Sequence, residues 1–426
     1  MKRYLGAFAL TLLAAGAFAQ VAPQVQSIGS NDLFQDIVGG SPVMGNIYAN
    51  QALVGNIGYA QGGALLGNAL VGGDFGQNLF QRGTSVVLAS PAAEAYQSAD
   101  RWAVWGGTNT PVTTSQQTGS TDVVPGSTAS FRVNKASGAG VVPVCIAQEV
   151  ESVNSTQFAG QTAEFSFSAK AGSTFSAAAS NVNVYITYGT STDEGMQKLA
   201  YTVNAGGGGS TAWTGGVNAA SGVSAVLNSG GFNRYAVGAN IPATATELGV
   251  AICYTPVGTG SSTDWFEIAN AQLTINPALT SSVVTGGTLY TNDTRTRAFA
   301  RRPQGVETAL QQRYFWNLAE PAAGVVVATG VLTTTTQCSI GIPLPVTMRA
   351  VPTLGTTGTL STSTWQIQET ATSTLASSSF IAALTAASTV NTMGWNAKLT
   401  TASTAGWACQ LQGAGGTSSL TASAEL

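Results

Sequence analysis

The sequence contains no histidine, and only 8% of its 426 residues are charged. Without histidine there is no Ser-His-Asp triad, no usual zinc or copper ligand, and none of the commonest general base. The charges, 16 Lys plus Arg against 19 Asp plus Glu, leave a net of −3. That is no basic field for nucleic acid or an anionic membrane, so no nucleic-acid partner is expected. The four cysteines, Cys145, Cys253, Cys338 and Cys409, form no CxxC pair, which excludes a zinc knuckle or a thioredoxin-like centre. Cys145 and Cys253 sit in apolar strand-like runs, where a buried free thiol is the simpler reading. Two disulfides, Cys145–Cys253 and Cys338–Cys409, are the alternative if the chain matures in an oxidising compartment. No EF-hand loop is present, the glycine runs precede no Lys-bearing helix, and neither metal nor cofactor is expected.

What is abundant is glycine, 51 residues, together with Ser, Thr, Ala and Asn, in a chain that is 44% hydrophobic. That is too apolar for disorder and poorly suited to long helices. The length allows roughly two to four domains.

Residues 1–20, MKRYLGAFALTLLAAGAFAQ, have the pattern of a secretory signal: two cations, an apolar run, then Ala-Phe-Ala. The alternative is an apolar anchor buried in a partner or an oligomer axis. Residues 21–78 are Gly- and Asn-rich, nearly uncharged and without helical or strand period. They read as an extended attachment segment ordered against other chains.

Over residues 79–280 the pattern becomes short apolar–polar alternations separated by turn residues: ASFRVNK, VVPVCIAQEVES, AEFSFSAKAG, VNVYITYG, RYAVGANI, LGVAICYTPV and DWFEIANAQLTI. This predicts a β-sandwich or jelly roll, with Phe165, Phe167, Tyr185 and Tyr188 as packing aromatics. Residues 281–320 form an Arg-rich connector with a predicted helix at 306–316, VETALQQRYFW. Residues 321–426 read as a smaller C-terminal β module. The fold class expected is thus all-β: a jelly-roll-like sandwich, a short helix and a second β module, preceded by the attachment segment.

Two features raise questions of function. Arg295, Arg297, Arg301, Arg302 and Arg313 crowd one short stretch of a charge-poor chain. Their fork geometry suits fastening a module junction onto carboxylates and carbonyls, with Asp293 and Glu307 as local partners. An acidic-glycan or phosphate patch is the less favoured alternative. Aromatics in loop-like settings, Trp105, Trp213, Phe232 and Tyr235, are candidate sugar-stacking residues, whereas Trp102 reads as core. Carboxylates at Asp264 and Glu267, or Glu149 and Glu151, are neighbours on single strands and cannot straddle a sugar ring, so no enzyme is expected. Lys170 reads as a strand-end turn residue.

The segments ALVGGDFGQNLFQRGTS, YQSADRWAVW, FAGQTAEFSFSAKAG, DWFEIANAQL and FARRPQGVETALQQRYF occur in the same order in bacteriophage tail-associated and virion-appendage proteins. The chain resembles that family over about residues 65–355. The resemblance implies a carbohydrate-binding-module-like jelly roll, a short helix and a small β module. It implies a non-catalytic virion subunit, a tail fibre or a head fibre or decoration, which touches a host surface glycan. A homotrimer bound to other virion proteins through the N-terminal segment is the assembly expected. The alternative, suggested by the leader, is a secreted bacterial carbohydrate-binding or adhesion protein.

Overall fold

The computed structural model describes residues 36–38 and 41–43 and, from Gly67 to Glu425, all but short stretches at 77–79, 89–94, 107–110, 139, 178–179, 204–210, 259, 280–287, 358–364, 370–374, 377, 384–387 and 400–401. The chain divides into two units, Met1–Gly67 and Asn68–Leu426. In the first, strands β1 (Asp36–Val38) and β2 (Ser41–Val43) form an antiparallel pair. The leader, and most of the attachment segment, lie outside the described residues.

From Asn68 the strands are β3 (Ser85–Leu88), β4 (Ala95–Tyr96), β5 (Ala103–Trp105), β6 (Val112–Gln117), β7 (Ser130–Lys135) and β8 (Val144–Val150). A short helix α1 (Ser152–Ser155) leads to β9 (Thr162–Ala171) and β10 (Asn181–Gly189). Helix α2 (Met196–Val203) precedes β11 (Val217–Val226), β12 (Asn233–Asn240), β13 (Glu247–Tyr254), β14 (Trp265–Ile275) and β15 (Thr288–Thr291). These make two facing antiparallel sheets, ordered β11-β10-β13-β8-β5-β4 and β15-β12-β9-β14-β7-β6-β3. The architecture is a jelly-roll-like β-sandwich, and each of the seven strand-like runs read from the sequence is a strand of it.

The alternation explains the core. Ile146 on β8, Phe165 and Phe167 on β9, Val250 and Ile252 on β13, and Phe266 and Ile268 on β14 point between the sheets and are fully buried. Strands β8 and β13 are also buried on their outer face. There Cys145, Ala147, Ala251 and Cys253 pack under Leu199 and Ala200 of α2 and under Trp213. A strand covered on both sides reads as a continuous apolar run, which is why VVPVCIAQEV lacks alternation. Cys145 and Cys253 lie opposite each other in the β8–β13 register and form a disulfide, as do Cys338 and Cys409. The free-thiol reading is corrected: cross-strand register brings together sulfurs that are 108 residues apart in sequence.

Residues 68–76, assigned above to the attachment segment, belong to the sandwich. Leu70 and Phe75 are fully buried in its core, and Asn68 bridges the Leu70 amide and the Ala271 carbonyl. A Cβ at Gly73 would lie 1.9 Å from the Ala271 oxygen, so the paired glycines permit this close approach.

Helix α3 spans Gln304–Gln312, and the next strand, β16 (Phe315–Ala319), begins inside the predicted helix. The helix stops where Trp316 and Leu318, at the two-residue spacing of a strand, pack on the C-terminal core, and β16 pairs with the final strand β25 (Ser419–Ser423). The C-terminal module therefore starts at Phe315. It holds β17 (Val326–Thr334), β18 (Gln337–Pro343), β19 (Thr353–Thr357), β20 (Trp365–Glu369), β21 (Leu375–Ala376), β22 (Ser378–Ala383), β23 (Thr392–Leu399) and β24 (Ala408–Gly413). Its sheets are ordered β16-β25-β19 and β21-β20-β24-β17-β18-β23-β22. They share a core that includes Ile340, Trp365, Trp395, Leu411 and Leu420.

Candidate functional site

The outer face of the seven-stranded sheet is polar, and it is divided in two. Over one part the connector runs as a strap held through its backbone. The Arg297 amide donates to Glu164 at 3.1 Å, the Ala300 amide to Gln272 at 2.6 Å, and Asn276 donates to the Arg295 carbonyl at 2.9 Å. Arg234 donates to Ser166 and to the Arg297 carbonyl. Only Arg302 is deeply buried. Its guanidinium donates to the carbonyls of Asn68 and Leu70 and pairs with Glu307 at 2.7 Å, and Glu307 also accepts from the Gly72 amide.

Arg302 and Glu307 thus fasten strap, helix and the first sandwich segment. The other arginines of the stretch do less. Arg295 is exposed and clasps Asp293; Arg313 is partly exposed against Glu151. Arg301, grouped with Arg302 as a junction fastener from the sequence, is 46% exposed and 3.6 Å from Asp74. Adjacent residues in an extended segment point to opposite sides.

The ionic junction with the C-terminal module lies elsewhere. Arg82 bridges Asp100 at 2.8 Å and Glu425 at 3.0 Å. Fully buried Arg101 reaches Glu425 at 2.7 Å and lies over the Tyr314 ring. Arg349 adds a 3.0 Å pair with Asp193 and a hydrogen bond to the Ala424 carbonyl. Burial pushes the Asp100 carboxyl up to about 7, against the pull of Arg82.

The uncovered part of the sheet face carries a different arrangement. Strand register sets Lys170 on β9, Glu267 on β14 and Arg132 on β7 directly opposite one another. Glu267 is fully buried and accepts from Arg132, from Lys170 at 3.2 Å and from Ser130 at 3.2 Å. Burial raises its pKa, and the two cations oppose that rise. Trp265, two residues along β14, shares this face and is partly exposed. Arg132 lies 4.1 Å from the centroid of its ring and Lys170 5.6 Å. The indole packs onto Gly172, where a Cβ would come within 2.9 Å of it. Partly exposed Phe232 lies on the other side of Lys170, 4.9 Å away. Asp122, in the turn after β6, pairs with Lys170 at 2.6 Å.

Of the aromatics expected to meet sugars, only Phe232 belongs here. Trp105 is fully buried in the layer beneath α2, and Trp213 is 2% exposed in the same layer. Tyr235 is 1% exposed, near Phe167, with its hydroxyl donating to the Val226 carbonyl. Glycines beside Trp213 suggested a loop, but Gly189, Gly216 and Gly249 make its socket, each within 3.3 Å of it if given a Cβ.

The carboxylates separate as well. Asp264 is buried and accepts from the Ser176 amide, away from Glu267. Glu149 and Glu151 do not form a strand pair either: β8 ends at Val150, Glu151 caps the next helix and meets Arg313, and Glu149 is sealed in. Burial pushes Glu149 up to about 8, with Arg101 opposing and Glu247 and Asp193 adding to the rise. No group of three or more His, Cys, Asp or Glu side chains suited to a metal occurs among the described residues.

Fold and site together define an all-β sandwich protein with an aromatic and ion-pair platform on one sheet face. No family model matches the chain, and no curated protein matches it. Solved structures similar to it include the enzymatically active domain of bacteriophage CBA120 tailspike protein 4, at 15% identity and a TM-score of 0.25, covering 49% of this chain and 21% of that one. Another is the CBM22-1–GH10 portion of Clostridium thermocellum endo-1,4-β-D-xylanase 10B complexed with xylohexaose, at 12% identity and a TM-score of 0.26, covering 46% of this chain and 30% of that one. A third is a xylan-binding domain of carbohydrate-binding family 22, at 15% identity and a TM-score of 0.24, covering 41% of this chain and 86% of that one. At these scores none of the likenesses carries an argument about what the chain does.

Proposed function

We propose that the chain is a non-catalytic glycan-binding subunit of a virion appendage, a tail fibre or a head fibre or decoration protein. The observation that carries the glycan reading is Trp265, a partly exposed indole with the Arg132 guanidinium over its ring and buried Lys170 nearby, both cations held by Glu267. A partly exposed indole offers a sugar an apolar surface, while the guanidinium fixed over its ring supplies donors that suit ring hydroxyls. Chemistry on the sugar would need two carboxylates free to face one another across it. Here Glu267 is buried, and Asp122 shares Lys170 with it.

The virion role is supported by the ordered sequence segments that resemble phage appendage proteins. Assembly with copies of itself, as a trimer, is supported by the scarcity of charge: residues 321–426 contain only Arg349, Glu369, Lys398 and Glu425 as charged side chains. A second reading, a secreted adhesion protein, is favoured by the two disulfides together with the signal-like first 20 residues.

A glycan array with the purified chain tests the binding reading. The expected result is binding to at least one oligosaccharide class, weakened tenfold or more by Trp265→Ala with an unchanged melting temperature. Equal binding by the variant, or none by the parent, refutes it. The native N-terminus separates the two settings: Met1 retained in purified particles favours the virion, and a start near Gln20 favours export.

A further inference from the structure

Resting on the glycan platform proposed above, we propose that Asp122 is its charge-selectivity gate: a tethered carboxylate that occupies Lys170 and Arg132 and keeps acidic sugars out. Glu267 holds the same two cations from beneath and is fully buried. Asp122, 15% exposed, meets them from the solvent side: its Oδ1 is 2.6 Å from Lys170 Nζ and 3.8 Å from Arg132 Nη2. Two cations and two carboxylates leave the platform neutral.

The turn that carries Asp122 is built to hold it there. The Asp122 amide donates to the Gly119 carbonyl at 2.8 Å, and Lys170 also donates to the Thr121 carbonyl at 2.9 Å. A Cβ at residue 119 would lie 2.7 Å from Asp122 Oδ2, so Gly119 leaves room for the carboxylate.

The gate works by competition. An acidic sugar lying on Trp265 needs a cation for its carboxylate, and the nearest, Arg132 and Lys170, already hold one. A competing group on the same chain acts at an effective concentration on the order of millimolar or more. A soluble uronate at micromolar concentration cannot displace it, whereas a neutral sugar needs no free cation. Without the Asp122 charge the platform carries one net positive charge and accepts anions.

The test is calorimetric titration at low salt with hexagalacturonate and with the same oligomer fully methyl-esterified. The parent is expected to bind the ester at least tenfold more tightly than the acid. Asp122→Asn should gain at least tenfold in affinity for the acid. That gain should disappear in about 0.5 M salt, where screening is strong, and in the double variant Asp122→Asn/Lys170→Met. Asp122→Ala should show the same gain, which removes any amide-specific contact as the cause.

The gate is overturned if neither Asp122 variant gains affinity for the acid while both melt like the parent. It is also overturned if the parent binds acid and ester with the same measurable affinity. If the variants gain acid binding but the parent does not bind the ester or any glycan on the array, the gate stands and the glycan reading falls.

Discussion

Glu149 makes the sandwich's stability depend on pH in an unusual direction. It lies on the outer face of β8, beneath α2, and is 1% exposed. Neither carboxylate oxygen makes a well-formed hydrogen bond among the described residues. Burial therefore holds its pKa near 8, and the nearby Arg101 and the Gly195 amide only partly oppose this. In the unfolded chain the same group titrates near 4.5.

Between those values the folded protein binds more protons than the unfolded one, so stability falls as pH rises. The stabilisation is complete below about pH 4.5 and is lost above about pH 8. Each pH unit in the window costs about 1.4 kcal/mol, and the whole window about 5 kcal/mol as a ceiling. Any opening of α2 that admits water lowers the figure.

Glu149→Gln removes the titration while keeping the shape. Its buried amide adds a fixed cost of about 1–3 kcal/mol, so the diagnostic is the slope with pH and not the offset. Asp100 and Glu247 also have raised pKa values; Asp100 remains in both proteins and cancels in the difference, whereas Glu247 interacts with Glu149, and losing the Glu149 charge eases its own rise, so any remainder adds to the variant's gain. Urea midpoints at pH 5, 6.5 and 8, with disulfides intact, supply the measurement. The variant should gain on the parent by several kcal/mol from pH 5 to pH 8. A stability difference that stays flat across that range would refute the reasoning, because Glu149 would then be ionised in the folded state.

Two further outcomes follow from the ion pairs. Arg302→Ala should cost about 3–5 kcal/mol, since it strands buried Glu307, whereas Arg301→Ala should cost about 0–1 kcal/mol; equal shifts in thermal melts would contradict that division. Glu425→Ala should likewise cost about 3–5 kcal/mol by leaving Arg101 buried without its carboxylate. It should also speed amide exchange in β25, and unchanged exchange there would argue against a latch at this end of the module.

The strands were legible because their period is short and local. ASFRVNK and DWFEIANAQLTI alternate; the alternation survives in the burial of β7, whereas β14 is buried throughout from Phe266 to Thr274. The aromatics were misread because glycine is an ambiguous neighbour. Beside Trp213 it makes room for a buried ring, not a loop. A better signal was present. In a chain with 8% charge, Arg132, Lys170 and Glu267 sit within strand patterns rather than in turns. A charge in the polar register of a strand is aimed at that sheet face, and Trp265 shares the register of Glu267. What no local pattern could supply was the sheet order that sets β9, β14 and β7 side by side. The same holds for the disulfides, whose partners meet only through long-range register and packing.

The crowded arginines between residues 295 and 313 can now be understood through the backbone more than through the charges. Glu164, Gln272, Asn276 and Arg234 on the sheet all contact main-chain groups of the strap. Such contacts do not depend on which side chains the strap carries, so its course does not rest on the charges of Arg295 and Arg301, which are exposed. Arg302 is the exception because it must satisfy two carbonyls and a carboxylate at once, a task for a planar fork and not for lysine. By lying across the sheet, the strap also covers polar groups that would otherwise extend the open face. Beyond the strap lies the short row of Lys170, Glu267 and Arg132, in which Lys170 and Glu267 are buried and Trp265 is partly exposed. Among the described residues at least ten cations are ion-paired, and the best buried of these pairs lie at the strap, the module junction and the platform. Charge in this protein therefore acts as internal fastening. At the platform such a fastening lies against a partly exposed aromatic ring on a sheet face.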